Sequence, residues 1–229
     1  MFRKFIFCFI LFVCVGVQAK DDLNVEIGLE FPAYFGMHTK ISPHPNIYSR
    51  VGLGFVSNLM VGVPGVSTFM GYLAKDYEAE HIEFAFDVID NSLYGSISVG
   101  YRMKQKEGPY AEIGYSVIHK LGGSELPLED VSTALKQSEL IAGEAENPMS
   151  RINTTLHNGT LHVGYMFPLS SNVSLSTELG VIKPLYADVD VQHGESGNAE
   201  QAKESAKKTK DIMNQLWMVT GSLWLAFSF

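Results

Sequence analysis

Seven ionisable residues lie at alternate positions of otherwise apolar segments. They are Glu26, Glu30, Arg50, Arg102, Glu112, His162 and Glu178. Carboxyl and imidazole groups can act as general acids and bases, and guanidinium groups bind anions. The same residue types can instead neutralise one another as a buried network of ion pairs. The elements that carry them decide between these roles.

Other reactive residue types form no recognisable site. Five further histidines are scattered over predicted loops without metal-ligand spacing: His38, His44, His81, His119 and His193. The two cysteines, Cys8 and Cys14, lie close to the N-terminus. The glycine-rich stretches do not open a helix after a strand, as a phosphate-binding loop would require. We therefore expect no metal and no cofactor.

The C-terminal segment from Trp217 to Phe229 alternates strictly in polarity. One set of alternate positions is apolar and includes Trp217, Leu223, Leu225, Phe227 and Phe229; the other set is mostly small or polar. Successive side chains of a strand point to opposite faces. The segment carries no charge over thirteen residues, so its apolar face is suited to lipid and its length to a tilted strand that crosses a bilayer.

Six further segments repeat this alternation with consistent parity. They are Leu23–Phe31, Ile47–Phe55, Leu93–Arg102, Ala111–Val117, Leu161–Phe167 and Val173–Val181. Bacterial transmembrane barrels close with an even number of strands, so an eighth is expected between Phe55 and Leu93. Residues Gly65–Lys75 are preferred; Glu80–Ile89 also alternates, but it fits one face of a helix equally well. The predicted fold is all-β, a closed antiparallel transmembrane barrel of about eight strands.

This strand assignment divides the connections into two groups. Short turns are predicted at Met60–Gly65, Lys104–Gly108 and Pro168–Asn172, on one side of the barrel. Longer loops are predicted on the other side, at Gly36–Asn46, Asp76–Asn91, His119–Thr155 and Tyr186–Gln215. Two stretches of these loops, 129–136 and 198–215, contain good helix formers and are expected to be helical. Short periplasmic turns and long outer loops are typical of such barrels.

Residues 1–19 have the layout of a secretory signal peptide. Arg3 and Lys4 precede an apolar run of thirteen residues, Phe5 to Val17, and Val17 and Ala19 supply small side chains before a cleavage point at Lys20. Residues 20–229 then form one barrel domain. Of 17 basic residues two lie in the leader, so 15 face 25 acidic residues, a charge of −10. This excess of acid argues against nucleic acid as a partner.

A membrane-spanning helix is the alternative for the uncharged window from Val51 to Ala74. The window contains five glycines and Pro64. That density favours two strands joined by a turn over a helix.

The closing segment Trp217 to Phe229, which ends in an aromatic residue, resembles the strand by which bacterial outer-membrane barrels are recognised by their assembly machinery. The turns within Tyr101–Tyr110 and Phe167–Val173 resemble periplasmic hairpins of small eight-stranded OmpA/OmpX-like barrels. The resemblance is architectural and assigns no subfamily. It implies secretion to the outer membrane, with membrane lipids, lipopolysaccharide and the assembly machinery as partners.

In an eight-stranded barrel the interior is just wide enough for side chains to fill it. The seven ionisable residues named first are predicted to point inward, with Arg50 and Arg102 paired to glutamates. A non-enzymatic envelope protein, structural or binding an unidentified extracellular ligand, is the leading hypothesis. A small-solute channel is the first alternative. A lipid A-modifying enzyme is the second, but the residues after His157, Asn158–Thr160, lack the His-x-Ser-Asn pattern of lipid A deacylases.

Overall fold

The structure, a computed structural model, describes residues 23–31, 34–57, 79–104, 107–136, 149–193 and 199–229. The strands are β1 Leu23–Phe31, β2 Tyr34–His44, β3 Ile47–Val56, β4 Leu93–Arg102, β5 Gly108–His119, β6 Ser124–Pro127, β7 Met149–Pro168, β8 Val173–His193 and β9 Met218–Ser228. The helices are α1 Ala79–Ile89, α2 Leu128–Leu135 and α3 Ala199–Gln215. None of these helices is long and apolar enough to span a membrane.

Eight antiparallel strands form a closed barrel. The order runs β5-β4-β3-β2-β1-β9-β8-β7, and β7 pairs again with β5 to complete the ring. The first and last strands are neighbours, with Val25 opposite Phe227 and Ile27 opposite Leu225. The short strand β6 adds to the upper part of β7, above the end of β5. The predicted closed barrel of eight strands is confirmed.

One strand of the ring lies where the sequence predicted a loop. The sequence predicts a long outer loop at residues 36–46, but β2 occupies Tyr34–His44 and pairs with both β1 and β3. The alternative strand at 80–89 is instead helix α1. The preferred candidate, 65–75, lies outside the described residues, and β3 pairs directly with β4. The eighth strand therefore precedes β3 rather than following it.

The position of β2 also changes which connections share an end of the barrel. Residues 45–46, 103–107 and 169–172 join strands at one end, where β1 begins and β9 ends. The turns predicted at 104–108 and 168–172 are thus on the expected side. The turn predicted at 60–65 lies outside the described residues, and the connection that contains it joins β3 to β4 at the opposite end.

The two faces of the barrel wall have the alternating character that the sequence predicted. Outward side chains are apolar and exposed around the barrel, among them Ile27, Leu29, Phe35, Met37, Leu53, Phe55, Ile97, Val99, Ile113, Leu161, Val163, Leu179 and Leu223. Inward positions are buried and mix polar with aromatic side chains. A water-soluble barrel would reverse this arrangement.

The long-loop end is covered by helices. Helix α1 buries most of its length, including Ile82, Phe86 and Ile89, in one apolar cluster with α2, α3 and the upper ends of the strands. Strands β7 and β8, of 20 and 21 residues, are about twice as long as a bilayer crossing requires. They extend beyond the ring and support these helices. The helices predicted at 129–136 and 198–215 are confirmed as α2 and α3.

Candidate functional site

All seven ionisable residues singled out in the sequence lie inside the barrel. Each is at most 4% exposed. They come from seven positions on six strands: β1, β3, β4, β5, β7 and β8. The barrel topology brings most of them into one cluster, which we call the lumen network, and it adds residues that the sequence analysis did not identify.

Arg50 is the centre of the lumen network. Its Nη1 donates hydrogen bonds to Glu178 at 2.9 Å and to Glu112 at 3.3 Å. Its Nε lies 2.9 Å from Glu26 Oε2. One guanidinium thus joins carboxylates from three strands, which its planar array of donors suits well.

Lys40 is a second cation of the network. The sequence predicts a loop at its position. Its ammonium group is fully buried and lies 2.8 Å from Glu26 Oε1. Lys40 is also directly opposite Arg50 in the β2–β3 register. Glu26 therefore separates two neighbouring cations, with one carboxylate oxygen on each. These contacts are ion pairs whose angles fall outside hydrogen-bond geometry.

Glu178 has the most complete set of donors. Besides Arg50, it accepts hydrogen bonds from Tyr110 Oη at 2.6 Å, Ser222 Oγ at 2.8 Å and the Trp224 indole at 3.1 Å. The Trp224 ring is fully buried and also stacks at 4.0 Å from the ring of His38. A buried carboxylate with four donors is held in one position.

Glu30 and Glu112 have fewer contacts within the barrel. His162 Nε2 lies 3.2 Å from Glu30 Oε1, and Ser98 Oγ donates to Glu112 Oε1 at 2.7 Å. His162 therefore interacts with a carboxylate on the opposite part of the wall.

Arg102 lies at the short-turn end and ties two turns together. Its Nε donates to the Pro45 carbonyl at 2.9 Å, and its Nη2 donates to Ser42 Oγ at 2.8 Å. The side chain of Asn46 returns the contact by donating to the Arg102 carbonyl. These contacts give Arg102 a role in positioning turns, in addition to the predicted interior location.

Large rings fill the space around the charges, and glycines make room for them. Tyr48 is fully buried, with Lys40 Nζ 4.5 Å from its ring centre. It faces Gly100, where a Cβ would lie 2.1 Å from the ring. Trp224 similarly packs over Gly28. The seven ionisable residues are thus packed among aromatic rings and are at most 4% exposed.

The apolar residues singled out in the C-terminal strand, and His157, lie on the outer face. Leu223, Leu225 and Phe229 are exposed, and Trp217 lies just before β9 at its upper end. His157 is half-buried on the outside, where its Nδ1 is hydrogen-bonded to Tyr115 Oη. Among the described residues, no serine pairs with His157, and no group of three or more His, Cys, Asp or Glu is arranged to hold a metal.

Comparisons with known proteins return architecture only. No family model and no curated protein matches the chain. Several solved structures, all of bacterial outer-membrane proteins, are similar over most of its length. The N-terminal β-barrel domain of Pseudomonas aeruginosa OprF has 9% identity and a TM-score of 0.45, covering 90% of this chain and 96% of that one.

Two others are a major outer membrane protein from Thermus thermophilus and Acinetobacter baumannii CarO. The first has 14% identity and a TM-score of 0.43, covering 91% of this chain and 100% of the other. The second has 10% identity and a TM-score of 0.40, covering 93% and 100%. With such low identities and scores, the eight-stranded barrel rests on the strand pairing of this chain itself.

Proposed function

We propose that the protein is a non-enzymatic outer-membrane barrel that serves as a rigid anchor for its outer cap, the helices α1, α2 and α3 at the long-loop end. The observation that carries this proposal is the deep burial of the side chains that point into the lumen. Lys40, Arg50 and Trp224 are at most 3% exposed and are held by several partners each. A solute pathway or a catalytic site would require open volume beside such groups.

The apolar outer wall supports the membrane location. In hydrocarbon every backbone donor and acceptor must be paired within the protein, so only helices and closed barrels can span it. This barrel is closed, and exposed side chains such as Leu53, Ile113 and Leu179 would be unfavourable in water. The short turns would then face the periplasm and the helical cap the exterior.

The cap supports a role in surface structure or contact. Helix α2 presents Glu129 and Asp130 to solvent while Val131 and Leu135 are buried beneath them. Strands β7 and β8 extend beyond the ring to support it. A cap whose helices share one apolar cluster with the strand ends is a fixed platform for contacts outside the cell.

Conductance in planar bilayers tests the filled lumen. The purified protein should produce no stepwise current at voltages where a general porin conducts. Reproducible ohmic steps would favour the small-solute channel instead. Mass spectra of lipid A from cells with and without the protein test the enzymatic alternative, for which we expect identical acyl and phosphate patterns.

A further inference from the structure

A group of cationic and aromatic side chains lies on the outer wall where the apolar surface ends. On β7 the outward residues change from Leu161 and Val163 to His157 and Thr155, going toward the cap. On β8 the first charged outward residue is Lys183, and the exposed Leu185 and Tyr186 follow it toward the cap. We call this group the boundary patch; its members are Tyr115, His157, Lys183, Tyr186, Lys210 and Trp217.

The members of the boundary patch form two contact groups that are neighbours in the β7–β8 register, where His157 is opposite Tyr186 and Gly159 is opposite Lys183. His157 is hydrogen-bonded to Tyr115 and lies 5.9 Å from the ring centre of Tyr186. Lys210, on α3, places Nζ 4.5 Å from the centre of the Tyr186 ring. Beside them Lys183 Nζ lies 4.8 Å from the Trp217 ring. The rings hold both lysine stems in place, so the ammonium groups lose little freedom when they bind an anion.

No carboxylate in the described part of the chain forms an ion pair with either lysine of the patch. Among the described residues, neither Lys183 nor Lys210 has a carboxylate oxygen within 4 Å, whereas Lys208, on the same helix as Lys210, lies 3.1 Å from Glu204. The protein as a whole is acidic. Lys183 and Lys210 therefore give this part of the outer surface a local positive charge, in contrast to the net negative charge of the protein.

Among the residues that the structure describes, the patch occupies one side of the barrel. On the opposite wall, the outward residues at the same end are Phe35 and Phe55, both 60% exposed. A general interfacial anchor would distribute lysines and aromatic rings around the whole circumference. The one-sided arrangement fits a ligand of defined shape.

We propose that the boundary patch binds the phosphorylated sugar head group of an outer-leaflet glycolipid, the lipid A type. This rests on the proposed outer-membrane orientation, which places the patch at the outer leaflet. Lys183 and Lys210 supply the charge for phosphate, and the exposed rings of Tyr186 and Trp217 offer apolar faces to the sugar. The acyl chains of the lipid would lie along the apolar wall below.

The test uses the folded protein in liposomes that contain lipid A, a dephosphorylated lipid A or phosphatidylglycerol. Lipid retained by the detergent-extracted protein is measured by native mass spectrometry. We expect lipid A to be retained over both other lipids. Lys183→Gln and Lys210→Gln should each reduce that retention about fivefold, since a cation near a phosphate surface contributes roughly that factor. Lys208→Gln is the matched control and should retain lipid A like the unmodified protein.

Further variants separate charge from shape and this proposal from the previous one. Lys183→Arg and Lys210→Arg should restore retention because the positive charge is kept. Three outcomes would each overturn the boundary patch as a lipid A site. The protein could retain dephosphorylated lipid A as well as lipid A, it could retain phosphatidylglycerol as well as lipid A, or the glutamine variants could retain lipid A as well as the unmodified protein does. The mobility of unboiled protein on detergent gels is read in the same samples. If the closed barrel forms and lipid A selectivity is absent, only this proposal fails; if no barrel inserts, the outer-membrane function fails with it.

Discussion

At the scale of single residues, Arg50 is the side chain that joins the carboxylates of the lumen network. It contacts Glu26, Glu112 and Glu178, which come from three different strands. Removing one member of a buried ion-pair network leaves its partners charged and desolvated. The stability of the barrel should therefore depend strongly on this one guanidinium.

We predict that Arg50→Met lowers the free energy of unfolding by about 3–5 kcal/mol. Urea unfolding in lipid vesicles, followed by tryptophan fluorescence, measures it. Lys104→Met is the control, because Lys104 also pairs with a carboxylate but lies exposed in a turn. The hydrogen bond from Lys104 to Glu107 raises the pKa of the lysine. Surface pairs of this kind contribute about 1 kcal/mol or less. Equal losses in the two variants would mean that the lumen is wet.

The seam between the first and last strands depends on the absence of one side chain. A Cβ at Gly28 would lie 2.0 Å from the backbone oxygen of Leu223 and 2.8 Å from the Trp224 ring. Neither a carbonyl within the sheet nor a fully buried indole can move aside easily. Gly28 is therefore required by close approach rather than by an unusual backbone angle.

Gly28→Ala should reduce the yield of folded barrel several-fold, as measured by the band that unboiled, folded protein gives on a detergent gel. Overpacking of this kind typically costs about 1–3 kcal/mol. Gly221→Ala, in β9 of the same seam, is the matched variant. Its new methyl group would meet nothing nearer than 3.9 Å, so its folding yield should stay close to that of the unmodified chain. If both variants fold equally well, β1 and β9 do not approach as closely as described.

At the scale of elements, strand polarity was predictable from sequence and strand identity was not always so. In β1, β3, β4, β5 and β9, apolar residues alternate with inward positions that are small or polar, and one face stands out. Residues 34–44 also alternate, with Phe35, Met37 and Ile41 outward. Their inward positions hold Gly36, His38 and Lys40, which in isolation are typical of a solvated loop.

The inward charges of β2 make sense only once their partners are known. Lys40 is compatible with a buried position because Glu26 on β1 lies beside it, and no local pattern in residues 34–44 indicates that carboxylate. Because β2 was not predicted, two residues were also missing from the expected network, the cation Lys40 and the imidazole of His38. Pairing between strands distant in sequence is thus the information that periodicity lacks.

The last strand offers a direct test of the two faces of the wall. Leu223 is 46% exposed, whereas its neighbour Ser222 is buried and donates to Glu178. We predict that a fluorescent label on Leu223→Cys is quenched by brominated lipids. A thiol reagent should modify Ser222→Cys about tenfold more slowly than Leu223→Cys or slower still, because the thiol at position 222 lies inside the barrel.

The chain from Lys20 onward contains no cysteine that would confuse the labelling. Each variant is first checked for the gel mobility of the folded barrel, so that exposure by unfolding is recognised. Equal quenching at positions 222 and 223 would contradict a strand with one face in lipid.

At the scale of the whole molecule, closure satisfies the backbone and encloses the charges at once. Without the β1–β9 seam the sheet would have two edges in hydrocarbon, each with a row of unpaired donors and acceptors. Opening the seam would also separate Glu26 on β1 from Trp224 and Ser222 on β9, and so from the groups that surround Glu178. The lumen network and the closed ring therefore stabilise each other.

A disulfide across the seam tests closure directly. Ile27 on β1 and Leu225 on β9 are directly paired, although nearly the whole sequence of the barrel domain lies between them. Directly paired residues of antiparallel strands lie about 4.5–5.5 Å apart between Cα atoms, within the range that a disulfide spans.

The variant Ile27→Cys with Leu225→Cys should oxidise nearly completely in the folded protein, and the denatured, oxidised chain should then migrate as a compact loop on a gel. Ile27→Cys with Leu53→Cys, on strands that do not pair, should stay reduced. Efficient oxidation of the control pair, or none in the seam pair, would contradict a ring in which the first and last strands are neighbours.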